Sequence, residues 1–227
     1  MAIICRPWNL LFLMVPRTAC TAVANVLISD LGGEYLPSEH ILESDGMIRI
    51  NKKHCTLREL LWAGLLRPAD VSALVKLTTV RNPFDSLVSL YVKKRYKYQT
   101  LLEDANAWVH RVAGYVADMQ YCREHTFEEW IFVNYNKGPL SRIYWLKRRS
   151  FSEKYTAGVD YVMRYEYLQE DFNKALSLAG IHRPLSIPTV NVTSERRESY
   201  REYYTPRARH IVERVFASEL RKYGYAF

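Results

Sequence analysis

The chain has 227 residues, a length typical of one domain that buries its own core without a disulfide or a metal. Hydrophobic residues make up 48% and charged residues 25%, which excludes a disordered or collagen-like chain. The formal net charge of +8 favours anionic partners such as nucleotides, polyanionic glycans, nucleic acid or acidic lipid. A solvated basic surface explains the same charge, so composition indicates only the sign of the charge that a partner would carry.

The cysteines and the apolar segments exclude further classes of protein. Four cysteines lie far apart with no C-x-x-C pair: Cys5, Cys20, Cys55 and Cys122. This spacing does not fit a zinc site or a disulfide scaffold. No segment approaches the roughly 18 consecutive apolar residues of a membrane span. We therefore expect a cytoplasmic protein with reduced thiols, no metal and no membrane span.

The first predicted elements are a strand, a tight loop and a helix. The apolar run Leu10–Val15 predicts a strand buried on both faces, as in a parallel sheet. Helical periodicity predicts a helix over Thr21–Leu31, which Gly32 and Gly33 end. Pro16, Arg17 and Thr18 form the turn between them.

Further strands and helices alternate along the chain. Thr56 to Glu59 has the form of a capping box, Ala73–Val80 predicts a second buried strand, and Pro83 suits the first turn of a helix. After a helical, aromatic middle, we predict a strand over Val159–Tyr165, a helix over Leu168–Ala179 and a closing helix from Thr205 to about Tyr223. This alternation predicts an α/β fold with a central, mainly parallel sheet flanked by helices, in a single domain over residues 1–227.

The loop after the first strand is the first candidate site. It contains these residues: Arg17, Thr18, Ala19, Cys20, Thr21 and Ala22. The N-terminus of a helix carries partial positive charge and unpaired N–H groups, so it binds phosphate readily. The Arg17 guanidinium adds a fixed charge suited to phosphate or sulfate oxygens. The glycines and lysine of a Walker A loop are absent from this sequence.

The second candidate site follows the second strand. Arg81 stands where that strand ends, and Ser89 lies on the next helix. Open parallel sheets bind ligands at the carboxyl ends of their strands. The two loops are therefore expected to lie at one edge of the sheet and to bind two phosphates of one nucleotide.

These motifs resemble those of the sulfotransferases. The loop V-P-R-T-A-C-T-A resembles their 5′-phosphosulfate loop, and V-R-N-P-F-D-S-L-V-S-L-Y closely resembles their 3′-phosphate motif. Further matching segments follow the family order: K-H-C-T-L-R-E-L, V-D-Y-V-M-R-Y-E-Y-L and Y-R-E-Y-Y-T-P. The landmarks are similar to those of the carbohydrate-type group, which contains the chondroitin and heparan 2-O enzymes and small bacterial relatives. The resemblance implies a P-loop-like sulfotransferase fold.

The resemblance also implies a reaction and its cofactor. It implies that 3′-phosphoadenosine 5′-phosphosulfate (PAPS) donates a sulfuryl group by in-line displacement to a hydroxyl or amine, with 3′-phosphoadenosine 5′-phosphate (PAP) leaving. The acceptor is expected to be a glycan, a lipid or a small natural product. The implied PAPS-binding residues are Arg17, Thr18, Ala19, Cys20, Thr21, Ala22, Arg81, Ser89, Thr193, Ser194, Arg196 and Arg197.

His54 is the implied general base, with an ordinary pKa of about 6.5 suited to that role. Arg17 is the implied catalytic cation that neutralises charge on the leaving oxygens. The family commonly has lysine at its position, and arginine does not give up a proton at neutral pH. His40 is the second choice for the base, and three carboxylates in the same region are candidates to share the role: Glu39, Glu43 and Asp45.

Two alternatives stay open at this point. One is a protein of the same fold that binds PAP or another nucleotide without turnover. The arginine at position 17, where the family commonly has lysine, is consistent with this alternative. The other is a P-loop kinase acting on a small molecule, although the missing Walker residues count against it. The sequence has no nucleic-acid recognition motif, so we expect no nucleic-acid partner.

Overall fold

The computed structural model describes residues 2–136, 153–189 and 199–227. Within these ranges the chain divides into two compact units. The first comprises residues 2–81 and 153–189, and the second comprises residues 82–136 and 199–227. The single domain over residues 1–227 stays a prediction.

The first unit contains a sheet of five strands in the order β3-β1-β2-β6-β7. Its strands are β1 (Ala2–Cys5), β2 (Leu10–Leu13), β3 (Glu34–Leu36), β6 (Val75–Val80) and β7 (Tyr161–Arg164). Strands β2, β6 and β7 are parallel, whereas β1 is antiparallel to both of its neighbours. Four of the five strands therefore run in one direction, which confirms the predicted mainly parallel sheet.

Strand β2 lies between two hydrophobic cores, one on each face of the sheet. Phe12 packs in a core with α1 (Cys20–Leu31) and α8 (Leu168–Leu178). Leu11 and Leu13, on the opposite face, pack in a second core with α2 (Leu57–Trp62). Successive residues of a strand point to opposite faces, so burial on both sides explains the unbroken apolar run.

The first unit also contains a small antiparallel hairpin and two further α-helices. The hairpin consists of β4 (Ile41–Leu42) and β5 (Ile48–Ile50), and the helices are α3 (Pro68–Ala73) and α7 (Glu153–Thr156). Helix α1 ends where Gly32 adopts a left-handed φ of 64°. Helix α2 begins at the predicted capping box, because Thr56 and Glu59 satisfy each other's backbone N–H groups.

The second unit is helical in the residues that the structure describes. Its helices are α4 (Pro83–Val92), α5 (Tyr115–Glu124), α6 (Phe127–Tyr135), α9 (Pro206–Val215) and α10 (Ala217–Tyr223), and a π-helical turn at Lys93–Lys97 extends α4. The side chain of Asn82 caps α4 by accepting from the Phe84 N–H at 3.1 Å.

The prediction of a single closing helix was wrong. The chain leaves helical geometry at Phe216, whose ring is buried, so the segment forms two helices, α9 and α10. None of the helices described in either unit is long and apolar enough to cross a membrane.

Candidate functional site

The carboxyl ends of three parallel strands bring the predicted loops to one edge of the sheet. Residues after β2, β6 and β7 lie there because these strands run in the same direction. Arg81 Nη1 donates a hydrogen bond to the Arg17 carbonyl oxygen at 2.8 Å. The Arg81 guanidinium carbon also lies 4.1 Å from the ring centroid of Tyr165, which follows β7. The structure therefore brings Arg17 and Arg81 together at one edge, as their sequence positions predict.

The loop between β2 and α1 has a backbone shape suited to an anion. Arg17 has a φ of 70° and Ala19 a φ of 55°, whereas Thr18 between them has a negative φ. Left-handed backbone costs a non-glycine residue about 1–2 kcal/mol, and such strain concentrates at functional sites. Alternating signs of φ turn successive N–H groups toward one concavity, which is the shape of an anion-binding nest. Among the described residues, no side chain caps α1 from its N-cap position, Ala19.

Side chains hold the end of β2 in place where the sheet pairing stops. Three consecutive carbonyl oxygens each have a side-chain partner. The Leu13 carbonyl accepts from the Thr78 hydroxyl at 2.9 Å, and the Val15 carbonyl accepts from the Thr18 hydroxyl at 2.9 Å. The Met14 carbonyl lies 3.0 Å from His54 Nδ1. Buried carbonyls need such partners once the strand ladder ends. The Thr18 hydroxyl also contacts the Thr79 hydroxyl, and Thr18 is only 1% exposed. Since this hydroxyl is used in the fold, Thr18 offers an anion its backbone N–H rather than its side chain.

His54 is held as one tautomer. A carbonyl oxygen only accepts, so Nδ1 donates its proton to Met14 and the lone pair is on Nε2. Burial, the largest effect, lowers the pKa of His54 to about 3, and the positive charges of Lys53 and Lys154 act in the same direction. The imidazole is therefore neutral at pH 7. This pKa is well below the ordinary value expected from the sequence, because burial of a ring in a loop cannot be read from the residue pattern.

Cys20 is the first residue of α1, and its thiol is buried. Burial raises the pKa of Cys20, while the positive charges of Lys53 and Arg17 lower it. Lys53 therefore acts electrostatically on both Cys20 and His54. Lys53 and Lys154 are cations of this region that the sequence interpretation did not assign to the site. The signal for Lys53 was its position directly before His54.

The other candidate bases lie on or beside the β4–β5 hairpin. His40 Nδ1 accepts a hydrogen bond from the Lys52 N–H at 3.1 Å. Glu43 is exposed and lies 3.3 Å from the Arg49 guanidinium. Glu39 is exposed as well, and Asp45 accepts from a backbone N–H within its own turn, that of Met47. These contacts lie within the hairpin region, whereas His54 contacts the end of β2.

The remaining predicted site residues lie in the second unit or outside the described residues. Ser89 is buried on α4, in the second unit. The predicted closing segment, with Thr193, Ser194, Arg196 and Arg197, lies outside the described residues. In the part of the chain that the structure describes, no group of three or more His, Cys, Asp or Glu side chains has the arrangement of a metal site.

The fold and the loop geometry define an α/β protein with a candidate anion site at the carboxyl edge of a mostly parallel sheet. A family model described as the Sulfotransferase family matches residues 1–226, so the chain belongs to that family. Membership supports a transferase that moves sulfuryl groups. No curated protein and no solved structure matches the chain.

The neutral His54 makes stability depend on pH. Below about pH 6.5 the unfolded chain binds a proton that the folded chain, with a pKa of about 3, does not bind. Stability is therefore lost as the pH falls from about 6.5 toward 3. We expect wild-type protein to lose on the order of 1–2 kcal/mol more than His54→Asn between pH 7 and pH 5, measured by urea unfolding. Equal losses in the two proteins would show that His54 has the same pKa in the folded and unfolded chain, contrary to this account.

Proposed function

We propose that the protein is a PAPS-dependent sulfotransferase that passes the sulfuryl group to a hydroxyl or amine of an acceptor. The observation that carries the proposal is the 2.8 Å hydrogen bond from Arg81 to the Arg17 carbonyl. It joins the two loops whose sequences resemble the 5′-phosphosulfate and 3′-phosphate motifs. One doubly phosphorylated adenosine is the ligand that suits two such adjoining loops.

The 5′-phosphosulfate is assigned to the loop after β2. Its proposed ligands are the backbone of Arg17, Thr18, Ala19, Cys20, Thr21 and Ala22, together with the side chains of Arg17, Cys20 and Thr21. The left-handed residues of the loop and the start of α1 supply N–H groups and a partial positive charge. The Arg17 guanidinium neutralises charge on the leaving oxygens, but it does not act as a proton donor.

The 3′-phosphate is assigned to Arg81. Arg81 is only 8% exposed, and its guanidinium is oriented by the Arg17 carbonyl and by stacking on Tyr165. A pre-oriented guanidinium loses little entropy when it binds a phosphate. Ser89 is the second proposed ligand of this phosphate, and Thr193, Ser194, Arg196 and Arg197 are proposed to close over the nucleotide. These five roles stay predictions.

His54 is the proposed general base, and its lowered pKa of about 3 makes it a weaker proton acceptor than the ordinary histidine expected from the sequence. As the acceptor oxygen or nitrogen attacks sulfur, its proton passes to His54 Nε2. The bond between sulfur and the bridging oxygen of the 5′-phosphate breaks, and PAP leaves with the electron pair of that bond. The Nδ1–H stays on the Met14 carbonyl, which stabilises the imidazolium that forms. Positioning and charge neutralisation supply most of the catalysis in such displacements.

The acceptor class is proposed from the family resemblance and the charge. A net charge of +8 favours an anionic or neutral glycan, in line with the carbohydrate-type group, and lipids or small natural products are the other candidates. The cytoplasm is the proposed location.

The proposal is tested by transfer of labelled sulfate from PAPS to a panel of glycan, lipid and small-molecule acceptors. Wild-type protein should yield products that gain one SO₃ unit. His54→Asn should lower kcat by about 100-fold or more, because general bases usually contribute that much. Asparagine keeps an N–H donor for the Met14 carbonyl, so PAP affinity and folding should persist.

His54→Ala is the matched comparison. It removes the base and also leaves the Met14 carbonyl without its donor, which costs roughly 1–3 kcal/mol of stability. A His54→Asn rate within about twofold of wild type would refute the role of His54 as base. Tight PAP binding with no transfer to any acceptor would instead indicate a non-catalytic nucleotide-binding protein.

Binding of PAP tests the two arginines separately from turnover. Arg17→Ala and Arg81→Ala should each weaken PAP by about tenfold or more, since a hydrogen bond to a charged group contributes about 1.5–3 kcal/mol. Arg123→Ala, which removes an exposed guanidinium on α5, is the control and should bind PAP as wild type does. Calorimetry with PAP and with ATP measures both effects. Preference for ATP over PAP would favour a kinase.

A further inference from the structure

The polar groups of His54 are bonded in three directions. The ring Nδ1 donates to the Met14 carbonyl at 3.0 Å, and the backbone N–H donates to the Asn51 carbonyl at 3.2 Å. The backbone carbonyl of His54 accepts from the Tyr155 hydroxyl at 3.3 Å. Among the described residues, the ring Nδ1, the backbone N–H and the backbone carbonyl of His54 therefore all have hydrogen-bond partners in the first unit.

Tyr155 reaches His54 from a distant part of the chain. It lies on α7, 101 residues further along, and is 2% exposed. The ammonium of Lys154 lies 4.9 Å from its ring centroid. A buried, packed ring of this kind holds its hydroxyl at a fixed point, unlike the turn at residues 51–54 that carries His54.

We propose that Tyr155 is a positioning residue for proton transfer, whose hydroxyl fixes the main chain of His54 so that Nδ1 stays on the Met14 carbonyl. This inference rests on the proposed function, because it concerns the base of that reaction. With the main chain and Nδ1 both fixed, Nε2 keeps one direction relative to the loop after β2. A catalytic group that shifts by about 1 Å loses as much as 100-fold in rate, so fixing it has a large effect.

The contact is more than packing of an aromatic ring. Removal of the hydroxyl alone leaves the ring in place and deprives the His54 carbonyl of its donor. The turn then gains freedom to move, and the imidazole loses its single orientation. The expected consequence is a slower chemical step with little change in PAP binding, because the hydrogen bond that is removed ends on His54 rather than on the loop at residues 16–22.

Tyr155→Phe tests the proposal in the full-length protein with PAPS and an acceptor found in the panel above. We expect kcat to fall about tenfold or more, while the Kd for PAP and the KM for the acceptor stay within about twofold. The matched control is Tyr121→Phe, which removes a tyrosine hydroxyl from α5 in the second unit and leaves its ring stacked on His125, with 3.8 Å between the ring centroids. A kcat of Tyr155→Phe equal to that of Tyr121→Phe would overturn the proposal.

A second measurement is independent of turnover. Long-range ¹⁵N–¹H correlation spectra of wild-type protein should show His54 protonated on Nδ1 alone, and Tyr155→Phe should show a mixture of tautomers. An Nε2–H tautomer in wild type, or an unchanged His54 signal in the variant, would refute the positioning role. If Tyr155→Phe does not fold, the tautomer of His54 in the wild-type spectrum still tests the proposal. Absence of sulfate transfer by wild type would count against the proposed function, whereas these spectra would still test the contact.

Discussion

The hydrogen bond from Arg81 to the Arg17 carbonyl is the constraint on which the candidate site depends. Arg81 is only 8% exposed, so its guanidinium needs hydrogen-bond acceptors, and the carbonyl of the left-handed residue Arg17 provides one. The ring of Tyr165 stacks on the same guanidinium. Residues that follow three different strands are thereby fixed against each other. The site is thus a product of sheet topology, because only parallel strands bring these three ends to one edge.

The end of β2 has a second consequence for the chemistry. Its last carbonyls leave the strand ladder and take side-chain partners, one of which is His54. The strand that leads into the anion loop therefore also orients the candidate base. A change at this strand end is expected to affect nucleotide binding and proton transfer together. The buried hydroxyls of Thr18 and Thr79 reinforce the same strand end, which explains polar residues in an otherwise apolar core.

Local patterns predicted much of this fold, and long-range contacts were beyond them. The apolar run of β2, the Gly32 cap and the Pro83 helix start follow from residue preferences, and the structure has all three. Strand β1 was missed because four apolar residues give no readable period. The Tyr155–His54 contact joins positions 101 residues apart, so no local pattern reports it. The low pKa of His54 has the same origin, since burial depends on the whole unit.

Amide hydrogen exchange with and without PAP tests most directly that the loop after β2 and Arg81 form one nucleotide site. Our account predicts that PAP slows exchange across Arg17 to Ala22, and that Arg81→Ala weakens this protection at equal PAP concentration. Bound PAP that leaves exchange in this loop unchanged, while protecting amides elsewhere in the chain, would contradict the account.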